Sequence, residues 1–189
     1  MKLLLTTLIF ALLCLPTNVL SNKNGTNNLF WEFSQLDNHY TFRGSFYTEA
    51  ELGDLLHILF DFEHLTNFVT SPHSIILLRR EKNWYEVCYT YRKLLLENKF
   101  TYRKTLIEGE HKITFELITS EQPDPIFPKV LSSKGYYEIK PEGKGWKVNY
   151  FEEVRLGSKL PSEISSQVVK RENVKFLEEL KKYVERKCN

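Results

Sequence analysis

Tyr40-Thr41-Phe42-Arg43-Gly44-Ser45-Phe46-Tyr47-Thr48-Glu49-Ala50-Glu51-Leu52 changes its period in the middle. Tyr40, Phe42, Gly44 and Phe46 alternate with Thr41, Arg43, Ser45 and Tyr47, the period of a strand with one buried face. From Thr48 onward the spacing is helical. Thr48 and Glu51 make a capping box, and Leu52, Leu55, Leu56, Leu59 and Phe60 recur as one face of a helix. The pattern restarts after Asp61 through Leu65 and Phe68 and ends near Ser71-Pro72, which predicts two short helices directly behind a first strand.

Downstream the chain reads as six more strands: 75–80, 84–92, 94–106, 112–119, 136–140 and 146–156. Glu81-Lys82-Asn83, Glu108-Gly109-Glu110 and Glu142-Gly143-Lys144-Gly145 are polar connections of hairpin size. Pro123, Pro125 and Pro128 mark a longer loop. Pro161 then fits the first turn of a helix of some twenty-six residues, with Ile164, Val168, Val169, Phe176, Leu177, Leu180, Tyr183 and Val184 on one stripe and Lys and Glu on the other face.

Composition agrees with one β-rich domain. The 189 residues are 42% hydrophobic, 26% charged and 14% aromatic, enough to build a core of ordinary size. With 26 Lys and Arg against 24 Asp and Glu, the net charge of +2 lacks the basic footprint of a nucleic-acid binder, so no nucleic-acid partner is expected.

The first residues read as a targeting segment. Lys2 precedes an apolar run from Leu3 to Leu15, Pro16 breaks it, and Val19-Leu20-Ser21 fits the small-residue cleavage rule, so residues 1–21 are expected to be a signal peptide. The run is too short for a membrane anchor. Leu13 before Cys14 is too large for lipoprotein processing, which ranks a lipid anchor second. A secreted or periplasmic protein is therefore expected, with a flexible leader over 22–38 and the folded domain over 39–189. Asn24-Gly25-Thr26 is a glycosylation sequon that matters only in a eukaryotic cell. Cys88 and Cys188 would be the two cysteines left, either joined as a disulfide or present as a buried and a frayed free thiol.

The order of strand, two short helices, six strands and a long amphipathic helix resembles the helix-grip fold of the START-like, or SRPBCC, superfamily. The likeness rests on Glu51-Leu52 through Asp61-Phe62-Glu63-His64-Leu65-Thr66-Asn67-Phe68, on Lys134-Gly135-Tyr136-Tyr137-Glu138-Ile139, and on Gly145-Trp146-Lys147-Val148-Asn149-Tyr150 with Pro161 before the last helix. It implies an α+β fold in which a seven-stranded curved antiparallel sheet wraps around the C-terminal helix, with a hydrophobic cavity between them. That superfamily has no universal functional residues to carry over. A lipocalin is the main β alternative, but its Gly-x-Trp belongs near the first strand, whereas Gly145-Trp146 is late and helices follow strand one.

Alternation nominates the cavity wall. Trp146, Val148, Tyr150, Glu152, Val154 and Leu156 share one face; so do Tyr85, Val87, Tyr89 and Tyr91; so do Ile113, Phe115 and Leu117; and so do Phe100, Tyr102 and Leu106. Tyr89, Tyr91, Phe115, Leu117, Tyr150, Glu152, Val168 and Asn173 are the expected ligand-binding residues. Glu152 reads either as a polar anchor or acid–base group, or as a strand-end carboxylate paired with Arg92 or Arg79. Asn173 interrupts the apolar stripe of the last helix, as a cavity group or as the place where that helix leaves the sheet.

Signals for chemistry are weak. His57, Asp61 and His64 would share a helical face, but the expected break at Asp61-Phe62-Glu63 disperses them, so no metal site is expected. There is no nucleophile elbow, no glycine-rich phosphate loop and no His and Asn framework for Cys88, and no cofactor is expected. The pairs Arg79-Arg80, Lys170-Arg171 and Lys181-Lys182 could touch anionic lipid head groups transiently, or be solvated faces. The resulting expectation is a binding protein for a lipid or other hydrophobic small molecule. The alternatives are a cyclase- or hydrolase-type enzyme that uses Glu152, and a protein-interaction domain whose interior is filled by its own aromatic side chains.

Overall fold

The structure is a computed structural model, and it describes residues 20–22, 29–93, 96–123, 128–157 and 162–188. The apolar segment before Leu20, Cys14, the sequon, Pro125 and Pro161 fall outside those residues, while Pro123 and Pro128 of the expected loop fall within them. The strands are β1 (Leu20–Asn22), β2 (Leu29–Leu36), β3 (His39–Thr48), β4 (Ser74–Arg80), β5 (Trp84–Lys93), β6 (Leu96–Ile107), β7 (Lys112–Glu121), β8 (Val130–Glu142) and β9 (Gly145–Leu156). The helices are α1 (Leu52–Phe60), α2 (Phe62–Leu65) and α3 (Ser162–Cys188).

All nine strands form one antiparallel sheet in the order β1-β2-β3-β9-β8-β7-β6-β5-β4. Strands β4 to β9 are a meander, and β9 returns to pair with β3, Gly44 opposite Tyr150. Gly109 and Gly143 take φ of +84° and +60° in the β6–β7 and β8–β9 turns, where glycine has no steric penalty. The sheet curls around α3, whose Leu177, Leu180, Tyr183 and Val184 are buried against Phe42, Phe46, Leu55, Leu59 and Phe68. Gly44 permits this contact: a Cβ there would lie 2.3 Å from Leu177 Cδ2.

Three expectations need correction. The sheet holds nine strands rather than seven: the stretch expected as a leader over 22–38 contains β2, which pairs along its whole length with β3 and buries Phe33, and the three-residue β1, which spans the expected cleavage site, pairs with β2. Asp37, at φ 53°, and Asn38 make the tight turn between them. Thr48 and Glu51 do not form a capping box: Glu51 is itself the N-cap without a side-chain bond, and Thr48 Oγ1 accepts from Ala50 N at 3.2 Å. Ile164 leaves the buried stripe and is half-exposed at the start of α3.

The break at Asp61 is present. Its extended backbone separates α1 from α2, and its carboxylate binds His57 Nδ1 at 2.7 Å and the Arg80 guanidinium. His64 nevertheless stays beside them, its ring edge-to-face on His57 with centroids 4.7 Å apart, and its Nδ1 lies 2.6 Å from the Tyr183 hydroxyl, which ties α2 to α3.

Cys88 and Cys188 are not bonded. Cys88 lies between inward-facing Val87 and Tyr89 and so points to the outer face of the sheet, while Cys188 packs on the core from the end of α3.

Candidate ligand cavity

Between the sheet and α3 lies a cavity of about 700 Å³, within the range of small-molecule sites. Its walls are the inward residues of β5, β6, β7, β8 and β9, closed on the other side by Val168, Val169, Asn173 and Phe176 of α3. Aromatic rings dominate. Tyr150 stacks on Phe115 at 5.9 Å between centroids and meets Phe176 at 5.1 Å and Tyr137 at 5.3 Å.

Of the residues expected from alternation, Tyr89, Tyr91, Phe115, Tyr150, Glu152, Val168 and Asn173 are brought together around this space. Leu117 is not. A register shift opposite Thr101/Tyr102 on β6 falls beside it, so that Ile118 is looped out and exposed, and Leu117 ends half-buried outside the lining.

Glu152 faces the cavity from β9 with hydroxyl partners. Ser133 Oγ donates to Oε1 at 2.8 Å and Tyr150 OH to Oε2 at 3.0 Å. Burial pushes its carboxyl upward, while hydrogen bonds from Ser133 and Tyr150, with Asn173 facing the same group, hold it partly down. The expected pairing with Arg92 or Arg79 is absent: Arg79 binds Glu81 at 3.3 Å, and Arg92 approaches Glu97 at 3.9 Å. Asn173 does face the cavity; its Nδ2 donates to Val169 O at 3.1 Å and its Oδ1 is left without a partner.

The sequence reading missed two buried polar groups of the cavity, both on β6. Asn98 and Lys104 are 2% and 3% exposed, and neither Asn98 Oδ1 nor Lys104 Nζ has a hydrogen-bond partner. Lys104 Nζ sits 5.1 Å from the centre of the Tyr137 ring. Burial lowers its pKa to about 7. The signal was available: Phe100, Tyr102, Lys104 and Leu106 share one strand face, and a charged member of an apolar face is the informative one. The buried Tyr89, Tyr137 and Tyr150 hydroxyls are pushed well above their ordinary range by desolvation, so they stay neutral.

The basic pairs on the surface are largely engaged. Arg80 binds Asp61 and Glu63, Arg171 binds Glu172, and Lys181 and Lys182 bind Glu185 and Glu179. Among the described residues no group of three His, Cys, Asp or Glu side chains could hold a metal ion.

No protein-family model matches the sequence, and no curated protein matches it. Solved structures do match the fold. The STAR-related lipid transfer protein from Xanthomonas axonopodis superposes with a TM-score of 0.68 at 16% identity, over 88% of this chain and 98% of that one. The Zhui aromatase/cyclase from a Streptomyces species gives 0.64 at 14% identity, over 80% and 96%. Human StAR-related lipid transfer protein 5 gives 0.61 at 10% identity, over 97% and 94%. The curved sheet, the helix pair behind β3 and the gripped C-terminal helix are those of the START-like helix-grip fold.

Proposed function

We propose that this protein is an exported carrier that holds a lipid or other hydrophobic small molecule between the sheet and α3. The observation that carries this reading is the cavity of about 700 Å³ walled by Tyr89, Phe115, Tyr137, Tyr150 and Phe176. Apolar surface facing such a space is stabilised by whatever apolar molecule displaces water from it. An interior filled by its own side chains, as a pure protein-interaction domain would have, does not fit an open space of that size. Two fold neighbours are lipid transfer proteins by name, which points the same way by analogy of fold. Export is proposed from the apolar segment Leu3 to Leu15 and the Val19-Leu20-Ser21 site.

Native mass spectrometry of the protein purified from its own cells, followed by solvent extraction, tests the carrier reading. A co-purifying apolar molecule of defined mass is the expected result. A ligand-free mass with no uptake of Nile red, fatty acids or sterols would overturn it. N-terminal sequencing of the same material tests export, with a start near Asn22 expected and an intact Met1 contradicting it.

A further inference from the structure

The register of β6 sets a lysine into the deep end of the cavity. Asn98 stands opposite Tyr91, which is 37% exposed, and Lys104 stands opposite Tyr85, which is fully buried. Following β6 inward therefore leads from the solvent side to Lys104. Its Nζ has only the Tyr137 ring as a favourable neighbour, and among the described residues no carboxylate offsets the cost of its burial. Glu152 shares the cavity but is bound to Ser133 and Tyr150. An ammonium taken out of water without a counter-ion is strongly unfavourable or gives up its proton, and one arriving anion reverses both effects.

The charge count sets the kind of anion. The deep end presents one ammonium; Arg171 and Lys175 line the cavity from α3 but are exposed to solvent, and Arg171 is already bound to Glu172. One cation with one apolar chamber matches a monoanionic carboxylate on an apolar body, whereas a phosphate dianion calls for a second cation or a nest of backbone N–H groups. We propose that the cavity takes an amphiphile with its carboxylate innermost, ion-paired to Lys104 Nζ. The proposal rests on the hydrophobic-ligand reading above and narrows it to long-chain carboxylic acids.

Proton linkage gives the proposal its own signature. Tyr85 stands opposite Lys104 on β5 and Tyr137 of β8 lies under its Nζ; the other titratable groups of the cavity are Tyr89 from β5, Tyr102 from β6, Tyr150 and Glu152 from β9, and Glu172 and Glu179 from α3, while β7 presents Phe115. The tyrosines near it are held neutral by burial. In the free protein the lysine loses its proton from about pH 7. A bound carboxylate restores that proton, so acid affinity falls as pH rises above this value, while a neutral analogue is indifferent.

The test displaces Nile red from the full chain with dodecanoic acid and with dodecan-1-ol, in the wild type and in Lys104→Met, at about pH 6.5 and about pH 9. The wild type should bind the acid about tenfold or more tighter than the alcohol at the lower pH, as a charge-assisted hydrogen bond predicts, and lose most of that margin at the higher pH. Lys104→Met should show no preference for the acid at either pH, because an innermost carboxylate then has no cation to offset its desolvation. Equal binding of acid and alcohol by the wild type, or an acid preference that survives in Lys104→Met, would overturn the assignment and leave the hydrophobic-ligand reading standing. Failure of both compounds to displace the dye would overturn both readings. The wild-type pH comparison decides the matter should Lys104→Met fail to fold.

Discussion

Lys104 and Glu152 face one cavity, from β6 and β9, and do not pair. Glu152 satisfies itself with two hydroxyls, while Lys104 has only the face of Tyr137. Burial drives both toward their neutral forms, the lysine downward and the carboxyl upward. Two ionisable groups that the fold buries without joining are maintained at a cost in stability, and that cost can be measured.

For Lys104 the sign follows from the shift. Its folded pKa of about 7 lies below the ordinary 10.5, so between those values the unfolded chain binds the extra proton and stability rises with pH. Lys104→Met removes the penalty while keeping the apolar stem. The variant should be more stable than the wild type at about pH 6, by on the order of a few kcal/mol, and the gap should close toward about pH 10. Urea unfolding across that range reads it; a variant less stable than the wild type at low pH would mean the ammonium is stabilised by a contact not accounted for.

Glu152 has the opposite sign. Its folded pKa is raised, so the native state holds the proton more tightly, and stability falls as pH climbs from the ordinary carboxyl value through the raised one. Glu152→Gln should flatten that part of the profile and keep partners for Ser133 and Tyr150. Glu152→Leu should cost about 1–3 kcal/mol for each hydroxyl left unbonded. Equal stability of the Gln and Leu variants would show that these hydrogen bonds contribute nothing.

Most of the architecture was legible because strand and helix periods differ so plainly. The switch at Thr48, the meander from Ile75 and the stripe of the last helix all follow from which positions are apolar. Strand β2 was missed because outward Phe30, 48% exposed, blurs the alternation of Leu29, Trp31 and Phe33. The expected arginine partner for Glu152 fails on parity. Arg92 follows inward-facing Tyr91 and so points to the outer face, where it cannot reach an inward carboxylate. Lys104 was hidden by attention to its aromatic neighbours, although its strand position already fixed its direction. What the sequence lacked is the gap between sheet and helix, which depends on how closely α3 can approach and leaves no mark on either pattern.

The two cysteines should remain thiols even in an oxidising compartment. Cys88 is on the outer face of β5 and Cys188 is packed against the core from α3, where burial also raises its thiol pKa. The intact mass under non-reducing conditions should therefore match the reduced mass, and a thiol reagent should label Cys88 first. A loss of two mass units would require β5 or the end of α3 to be elsewhere.

Three glycines measure how tightly the helix is gripped. Gly53, in the first turn of α1, has nothing within 4 Å of the position a Cβ would take, so Gly53→Ala should stabilise the protein by up to about 1 kcal/mol through helix propensity. Gly44 on β3 is different: its Cβ would lie 2.3 Å from Leu177 Cδ2, and Leu177 is fully buried. Gly44→Ala must turn the Leu177 methyl aside within the packed core and shift α3 against the sheet, at about 1–3 kcal/mol, and should alter Nile red uptake because Asn173 and Phe176 of the same helix close the cavity. Gly135 on β8 is tighter still, with Phe151 O at 2.0 Å and Phe115 Cζ at 2.4 Å. A backbone oxygen cannot swing aside as a leucine methyl can, so Gly135→Ala should cost more than Gly44→Ala. Thermal melts of the three variants should rank Gly53→Ala above the wild type, then Gly44→Ala, then Gly135→Ala; a Gly44→Ala protein with unchanged melting and unchanged dye binding would mean that α3 is not seated on β3 as described.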